Sequence, residues 1–286
     1  MGGMGKGMKG SFKSRLGKLA VSLALLLSGV AGAVAEPLRA GVEAAFPPWS
    51  YVENGDFKGI AIDAVREIAK QQDFEVEFQD LPWSSLIPAL GANKLDMVVT
   101  GMFATAERDK VIDYAIPWWE SNDVVVVSTD SQRTVASALC CGAKIGTQAG
   151  SAHDGWINSN LLEGDFATDV TLQTYEDFIA AVEDLKVGRI DSIVMTPDIA
   201  EDLVAKGREI KVVGIITTSR PWAMAVGQGD PKDLLPKLNK GIVDLYKSGK
   251  WAEIVHSYLP MAAVPPIPGN MPKDMESYSK APPGLQ

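Results

Sequence analysis

Ile60-Ala61-Ile62-Asp63-Ala64-Val65-Arg66-Glu67-Ile68-Ala69-Lys70-Gln71-Gln72-Asp73-Phe74-Glu75-Val76-Glu77-Phe78 holds two different apolar periods in one stretch, and together they decide the fold. From Ile60 to Gln71, Ala61, Ala64, Val65, Ile68 and Ala69 fall on one face, which predicts a helix. From Phe74 to Phe78, Phe74, Val76 and Phe78 alternate with acidic residues, which predicts a strand. Upstream, Leu38 to Glu43 reads as a strand. Downstream, Trp83 to Ala92 reads as a short helix, and Leu95 to Thr100 as a buried strand ending in Gly101. Strands alternating with helices predict an α/β unit with a parallel sheet covered on both faces.

The pattern then restarts. Val124–Ser128, Lys144–Thr147, Val170–Leu172, Ile190–Met195 and Ile210–Ile216 read as strands. Between them, Tyr175–Val187 and Pro197–Lys206 read as helices, the second opened by proline at its first position. Pro221–Val226 reads as a further strand, followed by helices over Leu234–Lys247 and Trp251–Leu259. If this closing segment returns to the first unit, the chain crosses between units twice. Two crossings make a hinge with a cleft beside it. The expected division is residues 36–118 plus 222–262 as lobe 1 and 123–217 as lobe 2. Residues 263–286 hold six prolines and no apolar period, which predicts a mobile or draping tail.

Residues 1–35 stand apart. Lys6, Lys9, Lys13, Arg15 and Lys18 precede an apolar run from Leu19 to Leu27, and the stretch ends in Ala33-Val34-Ala35. That layout predicts a cleavable signal peptide and export to the periplasm. The apolar run is too short to span a bilayer of about 30 Å. The whole chain has net charge −9; without the leader, 22 basic residues face 36 acidic ones, a net −14. Such a surface repels phosphate backbones, so nucleic acid is not an expected partner. The only two cysteines, Cys140 and Cys141, are adjacent, and the chain has only two histidines, so no zinc site of the usual kind can form and no cofactor is expected. The plain reading of the cysteines is two small buried apolar side chains, with a strained vicinal disulfide as the second choice. No G-x-S-x-G or H-E-x-x-H motif is present, and His153 reads as a solvated loop residue.

Four stretches carry a family likeness: Phe46-Pro47-Pro48-Trp49; Trp83 through Leu90; Gly101 through Arg108 and on to Asp113–Trp118; and Lys186 through Asp191. In this order and spacing the chain, from Leu38 to Leu259, resembles the periplasmic solute-binding proteins of polar amino-acid and ectoine-type ABC importers (solute-binding protein family 3). The resemblance implies a two-lobed type II binding protein with two hinge crossings. It also implies a small carboxylated zwitterion as ligand, a membrane permease as partner, a monomer and no enzymatic activity. It assigns Arg108 to the ligand carboxylate, which suits a planar guanidinium fork. It sets Trp49 and Trp83 against the ligand, with Phe46 and Gly101 beside them. Gln148-Ala149-Gly150-Ser151 precedes a helix, and its backbone N–H groups could receive a carboxylate, although Ser151 also fits an ordinary N-cap.

Two departures from the family pattern qualify the ligand. Phe103 stands where a small hydroxyl residue is usual, and Thr196 where an aspartate holds the α-ammonium, with Asp198 two residues on. Three rings around Arg108 resemble the cation box of ectoine-binding relatives, with Glu43 as a compensating charge. The competing classes are a dehydratase-like enzyme and a periplasmic sensory or accessory protein on the same scaffold.

Overall fold

Strand β1 (Leu38–Val42) pairs in parallel with both β5 (Val76–Asp80) and β6 (Met97–Val98), as expected for the first unit. The computed structural model describes residues 1–5, 36–164, 167, 169–264 and 284–285. The expected leader therefore lies outside the described residues except for residues 1–5, and the expected tail does so except for 263–264 and 284–285. Met1–Glu36 and Pro37–Gln286 form separate units, and the sheets and helices belong to the second.

After β1 comes an antiparallel ribbon of β2 (Ala45–Phe46), β3 (Ser50–Glu53) and β4 (Asp56–Lys58), which local sequence pattern did not predict. Helix α1 (Ile60–Gln71) leads to β5, and α2 (Trp83–Gly91) leads to β6. A short α3 (Ala106–Asp109) precedes β7 (Ile112–Tyr114). The ten-residue β8 (Trp119–Ser128) then enters a second sheet. This sheet is built with α4 (Val135–Ala138), β9 (Lys144–Gln148), α5 (Ala152–Ile157), β10 (Thr171–Tyr175), α6 (Phe178–Lys186), β11 (Ser192–Met195) and α7 (Pro197–Ala205). The thirteen-residue β12 (Ile210–Trp222) carries the chain back. Strand β13 (Ala225–Gly227) joins the first sheet, and α8 (Leu235–Lys247) and α9 (Lys250–Tyr258) come after it.

The first sheet has the order β5-β1-β6-β13-β7. The second has the order β10-β9-β11-β8-β12, closed by the pair Gly284–Leu285. Both sheets are mixed, which corrects the expectation of purely parallel sheets. β13 runs antiparallel to β6 and β7, and β8 antiparallel to β11, because these segments enter from the other lobe. The separate strand expected at Pro221–Val226 is also corrected: Pro221 and Trp222 end β12, and the strand resumes at Ala225. β8 and β12 pair from Ile210↔Ser128 to Trp222↔Trp119, with a register shift between Ile216 and Arg220. The two crossings are thus hydrogen-bonded to each other along their length.

Five of the seven tryptophans gather where the crossings begin and end. The ring centroids of Trp49 and Trp222 are 4.8 Å apart, those of Trp49 and Trp119 5.2 Å, and Trp118 stacks on Trp251 at 5.6 Å. Two glycines let this cluster close. A Cβ on Gly101 would lie 2.5 Å from both the Phe46 and Trp222 rings, and one on Gly59, at φ 122°, would lie 2.3 Å from the Trp49 carbonyl oxygen.

Cys140 and Cys141 are joined as a vicinal disulfide. Cys141 is exposed and Cys140 only half-buried, so the reading of two buried apolar side chains is corrected.

Candidate functional site

The loops of the two sheets meet around Arg108. Thr105 caps the short α3 by accepting the Arg108 backbone N–H, which leaves the Arg108 side chain directed inward with 9% exposure. Its Nη1 donates to the Phe103 carbonyl at 2.7 Å and its Nη2 to the Gly150 carbonyl at 3.0 Å. The guanidinium carbon lies 4.9 Å from the Trp83 ring centroid, and the Trp83 indole N–H donates to the same Gly150 oxygen at 3.2 Å. Among the described residues no carboxylate lies within ion-pair reach of Arg108, and burial lowers its pKa. A buried cation without a counter-ion is costly, so this group calls for an anion.

Further contacts join the same two sets of loops. Gln148 Nε2 donates to Glu43 Oε1 and to the Glu176 carbonyl at 2.9 Å. Glu43 is 4% exposed, and its Oε2 has no hydrogen-bond partner among the described residues. Burial pushes the Glu43 carboxyl up to about 8, against the lowering effect of Gln148 and with help from Asp177, Asp80 and Glu176. Trp49 Nε1 donates to Asp198 Oδ2 at 3.0 Å, and burial pushes that carboxyl up to about 6.

A raised carboxyl costs stability as the pH climbs. The cost begins near the ordinary glutamate value of about 4.3 and is complete above about 8. Glu43→Gln is therefore expected to match the wild type at pH 4 and exceed it at pH 9 by about 3–5 kcal/mol, since each unit of the rise corresponds to about 1.4 kcal/mol. Urea melts at pH 4, 7 and 9 check this, and parallel curves for the two proteins would show that Glu43 titrates normally.

The sequence-predicted residues separate into two groups. Arg108, Phe103, Trp83, Glu43 and Gln148 converge where the lobes meet. Phe103 is 3% exposed, with its ring 5.3 Å from Trp222. Phe46, 5% exposed, packs 5.9 Å from Trp222 over Gly101. Trp49, expected against the ligand, has no exposure and is enclosed by four other tryptophans, with its Nε1 reaching Asp198 of the second sheet's α7. Ser151 caps α5 by accepting from Asp154 N, the ordinary alternative. Thr196 sits at the start of α7, 1% exposed, with an Oγ1 lacking a partner among the described residues.

Three residues were missed or misread. His153 is buried at 3% exposure, 5.5 Å from Phe103 and 5.6 Å from Phe178, and burial pushes it down to about 4. Asp123 has no exposure and pairs with Arg220, itself 9% exposed. The available signal was a charge in an apolar strand: Asp123 opens a run of four valines, and Arg220 precedes Pro221-Trp222. Two shallow depressions lie elsewhere. One of about 380 Å³ is lined by Val182, Lys186 and Lys206–Ile210, the other of about 340 Å³ by residues such as Lys144, Tyr175 and Arg189, and neither contains a predicted site residue.

Residues 38–261 match the bacterial extracellular solute-binding proteins, family 3. The chain belongs to that family. ABC transporter arginine-binding protein 1 of Escherichia coli strain K12 is 30% identical over 250 residues, covering 85% of this chain and 99% of the relative. The structure of an ancestral arginine-binding protein bound to arginine is 31% identical, with a TM-score of 0.71 over 79% of this chain and 99% of that one. An ancestral amino acid-binding protein described as a precursor of cyclohexadienyl dehydratase is 26% identical, with a TM-score of 0.67 over 78% of this chain and 94% of that one. The two sheets of this solute-binding protein are the two lobes of a type II binding fold, and β8 and β12 are its two crossings.

Proposed function

We propose that this solute-binding protein is the periplasmic receptor of an ABC importer and holds a small carboxylate, an amino acid or a derivative of one, between its lobes. The observation that carries the reading is Arg108, a buried guanidinium whose hydrogen bonds among the described residues go only to neutral carbonyls. A carboxylate offers that fork two charged acceptors in place of one neutral one, and charge-assisted bonds are roughly twice as strong. The carbonyl of Gly150 comes from the opposite lobe, so a ligand that displaces it still touches both lobes and ties them together. The names of the relatives support an amino-acid-like solute.

In this reading residues 1–35 direct export. Residues 36–118 with 222–262, and residues 123–217, move as two bodies about β8 and β12, and the monomer presents the closed form to a permease.

A thermal-shift screen of the mature protein against amino acids and their derivatives identifies the ligand, since a ligand bound only to the native state raises the melting point. With that ligand, Arg108→Ala is expected to weaken binding about 100-fold, or about 2.7 kcal/mol, while the far-ultraviolet circular dichroism stays unchanged. Calorimetry showing equal affinity in a folded Arg108→Ala protein would remove the carboxylate site from the cleft.

A further inference from the structure

Arg220 lies near the end of β12 and closes the same junction from the side of the crossings. Its guanidinium carbon is 4.5 Å from the centroid of the Phe103 ring. Its Nη2 donates to Asp123 Oδ2, and its Nη1 to the Ala152 carbonyl at 3.1 Å. Arg108 and Arg220 therefore bracket Phe103, one at its carbonyl and one on its ring, and both end on the stretch from Gly150 to Ala152. The surroundings still carry unused buried polar atoms: Arg220 Nε, Asp123 Oδ1 and both ring nitrogens of His153 lack a hydrogen-bond partner among the described residues. Asp123 Oδ1 is 3.3 Å from His153 Nε2 but out of line for a hydrogen bond.

An aromatic face, a buried carboxylate and a carbonyl oxygen together make a receptor for a guanidinium or ammonium group. Here the chain supplies that cation itself. The other groups suited to a ligand cation are engaged in part, with Glu43 Oε2 still lacking a partner among the described residues. Arg108 covers Trp83, Gln148 holds Glu43, and Trp49 holds Asp198. Among the described residues two arginines are buried, and of these Arg220 has a carboxylate partner and Arg108 has none.

We propose that Arg220 is a specificity-determining residue: it fills, as a built-in guanidinium, the cation subsite formed by Phe103, Asp123 and the Ala152 carbonyl. The cleft then takes small carboxylates of net charge −1 that lack a cationic end, and turns away arginine-like amino acids. This rests on the reading that Arg108 receives the ligand carboxylate. It also separates this chain from the arginine-binding relatives it resembles.

The test compares five probes on the full mature protein by thermal shift and calorimetry: N-acetyl-L-glutamine, 4-methyl-2-oxopentanoate, L-glutamine, L-leucine and L-arginine. The wild type is expected to bind at least one of the two acids at least tenfold tighter than any of the three amino acids. Arg220→Gln bares the Phe103 face and the Asp123 carboxylate. It is expected to gain at least tenfold in L-arginine affinity, and millimolar ethylguanidinium is expected to raise its melting temperature but not that of the wild type. Arg220→Lys, which keeps a cation in place, is expected to gain neither. Wild-type protein that binds L-arginine or another of the amino acids as tightly as the acids overturns the proposal while leaving the carboxylate reading intact. A folded Arg220→Gln protein with no gain for arginine or ethylguanidinium does the same. If Arg220→Gln does not fold, the wild-type ranking alone decides. Binding of none of the five probes overturns the carboxylate reading and this proposal together.

Discussion

Trp222→Ala is expected to lose about 3–5 kcal/mol of stability, read from urea or guanidinium melts. Trp222 has no exposure, and its ring meets Trp49 at 4.8 Å, Phe103 at 5.3 Å and Phe46 at 5.9 Å. Truncation removes the transfer free energy of an indole and leaves a cavity whose walls are other rings, which collapse poorly. The backbone there is also heavily engaged. Trp118 N donates to the Trp222 carbonyl at 3.0 Å, Ala104 N to the Pro221 carbonyl at 2.9 Å, and Ala223 N to the Met102 carbonyl at 3.0 Å. The cavity would therefore open where β12 hands the chain back to the first lobe. Trp222→Phe, which keeps a ring in the same space, is expected to lose less than half as much. Equal losses in the two variants would mean that contacts special to the indole, and not filled volume, carry the stability.

Asp123→Ala is the second large effect, again about 3–5 kcal/mol. Asp123 is wholly buried and supplies the carboxylate partner of Arg220, which is itself 9% exposed. Removing the carboxylate strands a guanidinium that keeps, among the described residues, the Ala152 carbonyl and the Phe103 face. The double variant Asp123→Ala with Arg220→Met deletes both charges and is expected to recover most of the loss, because a buried ion pair contributes little net stability over an apolar pair of similar volume. The double-mutant cycle measures the coupling directly. A single-variant loss below about 1 kcal/mol would place the pair among solvated ion pairs and contradict its burial.

Much of the architecture was legible in local pattern. Helix α1 spans Ile60–Gln71, the range predicted from its apolar face, and seven of its residues are buried, among them Ala61, Ala64, Val65, Ile68 and Ala69. Thirteen residues of β12 read as two strands because Thr217, Thr218 and Ser219 carry no apolar period. What holds them in one strand is pairing with β8, a partner nearly a hundred residues earlier in the chain. The ribbon β2-β3-β4 escaped because its strands span only two to four residues each, too few for a period to show.

At the site, residue type gave Arg108 its chemistry, since a guanidinium can do little else when buried. Local sequence could not tell which rings face it. Trp49 and Trp83 look alike as tryptophans beside prolines. Trp49 went into the tryptophan cluster, whereas Trp83, opening α2, lies on the Arg108 guanidinium. Asp123 and Arg220 are 97 residues apart and meet only because the two crossings pair side by side.

The sequence by itself determined the alternation of strand and helix, the two-part plan and the presence of a guanidinium at position 108, because apolar period and residue chemistry are local properties. Tertiary structure alone decided that a second guanidinium would sit on Phe103, that Glu43 would be held in a buried contact with Gln148, and that Trp49 would be enclosed by four other tryptophans. Each of those depends on which groups are brought within a few ångströms from distant parts of the chain, and burial then sets the charge each of them keeps.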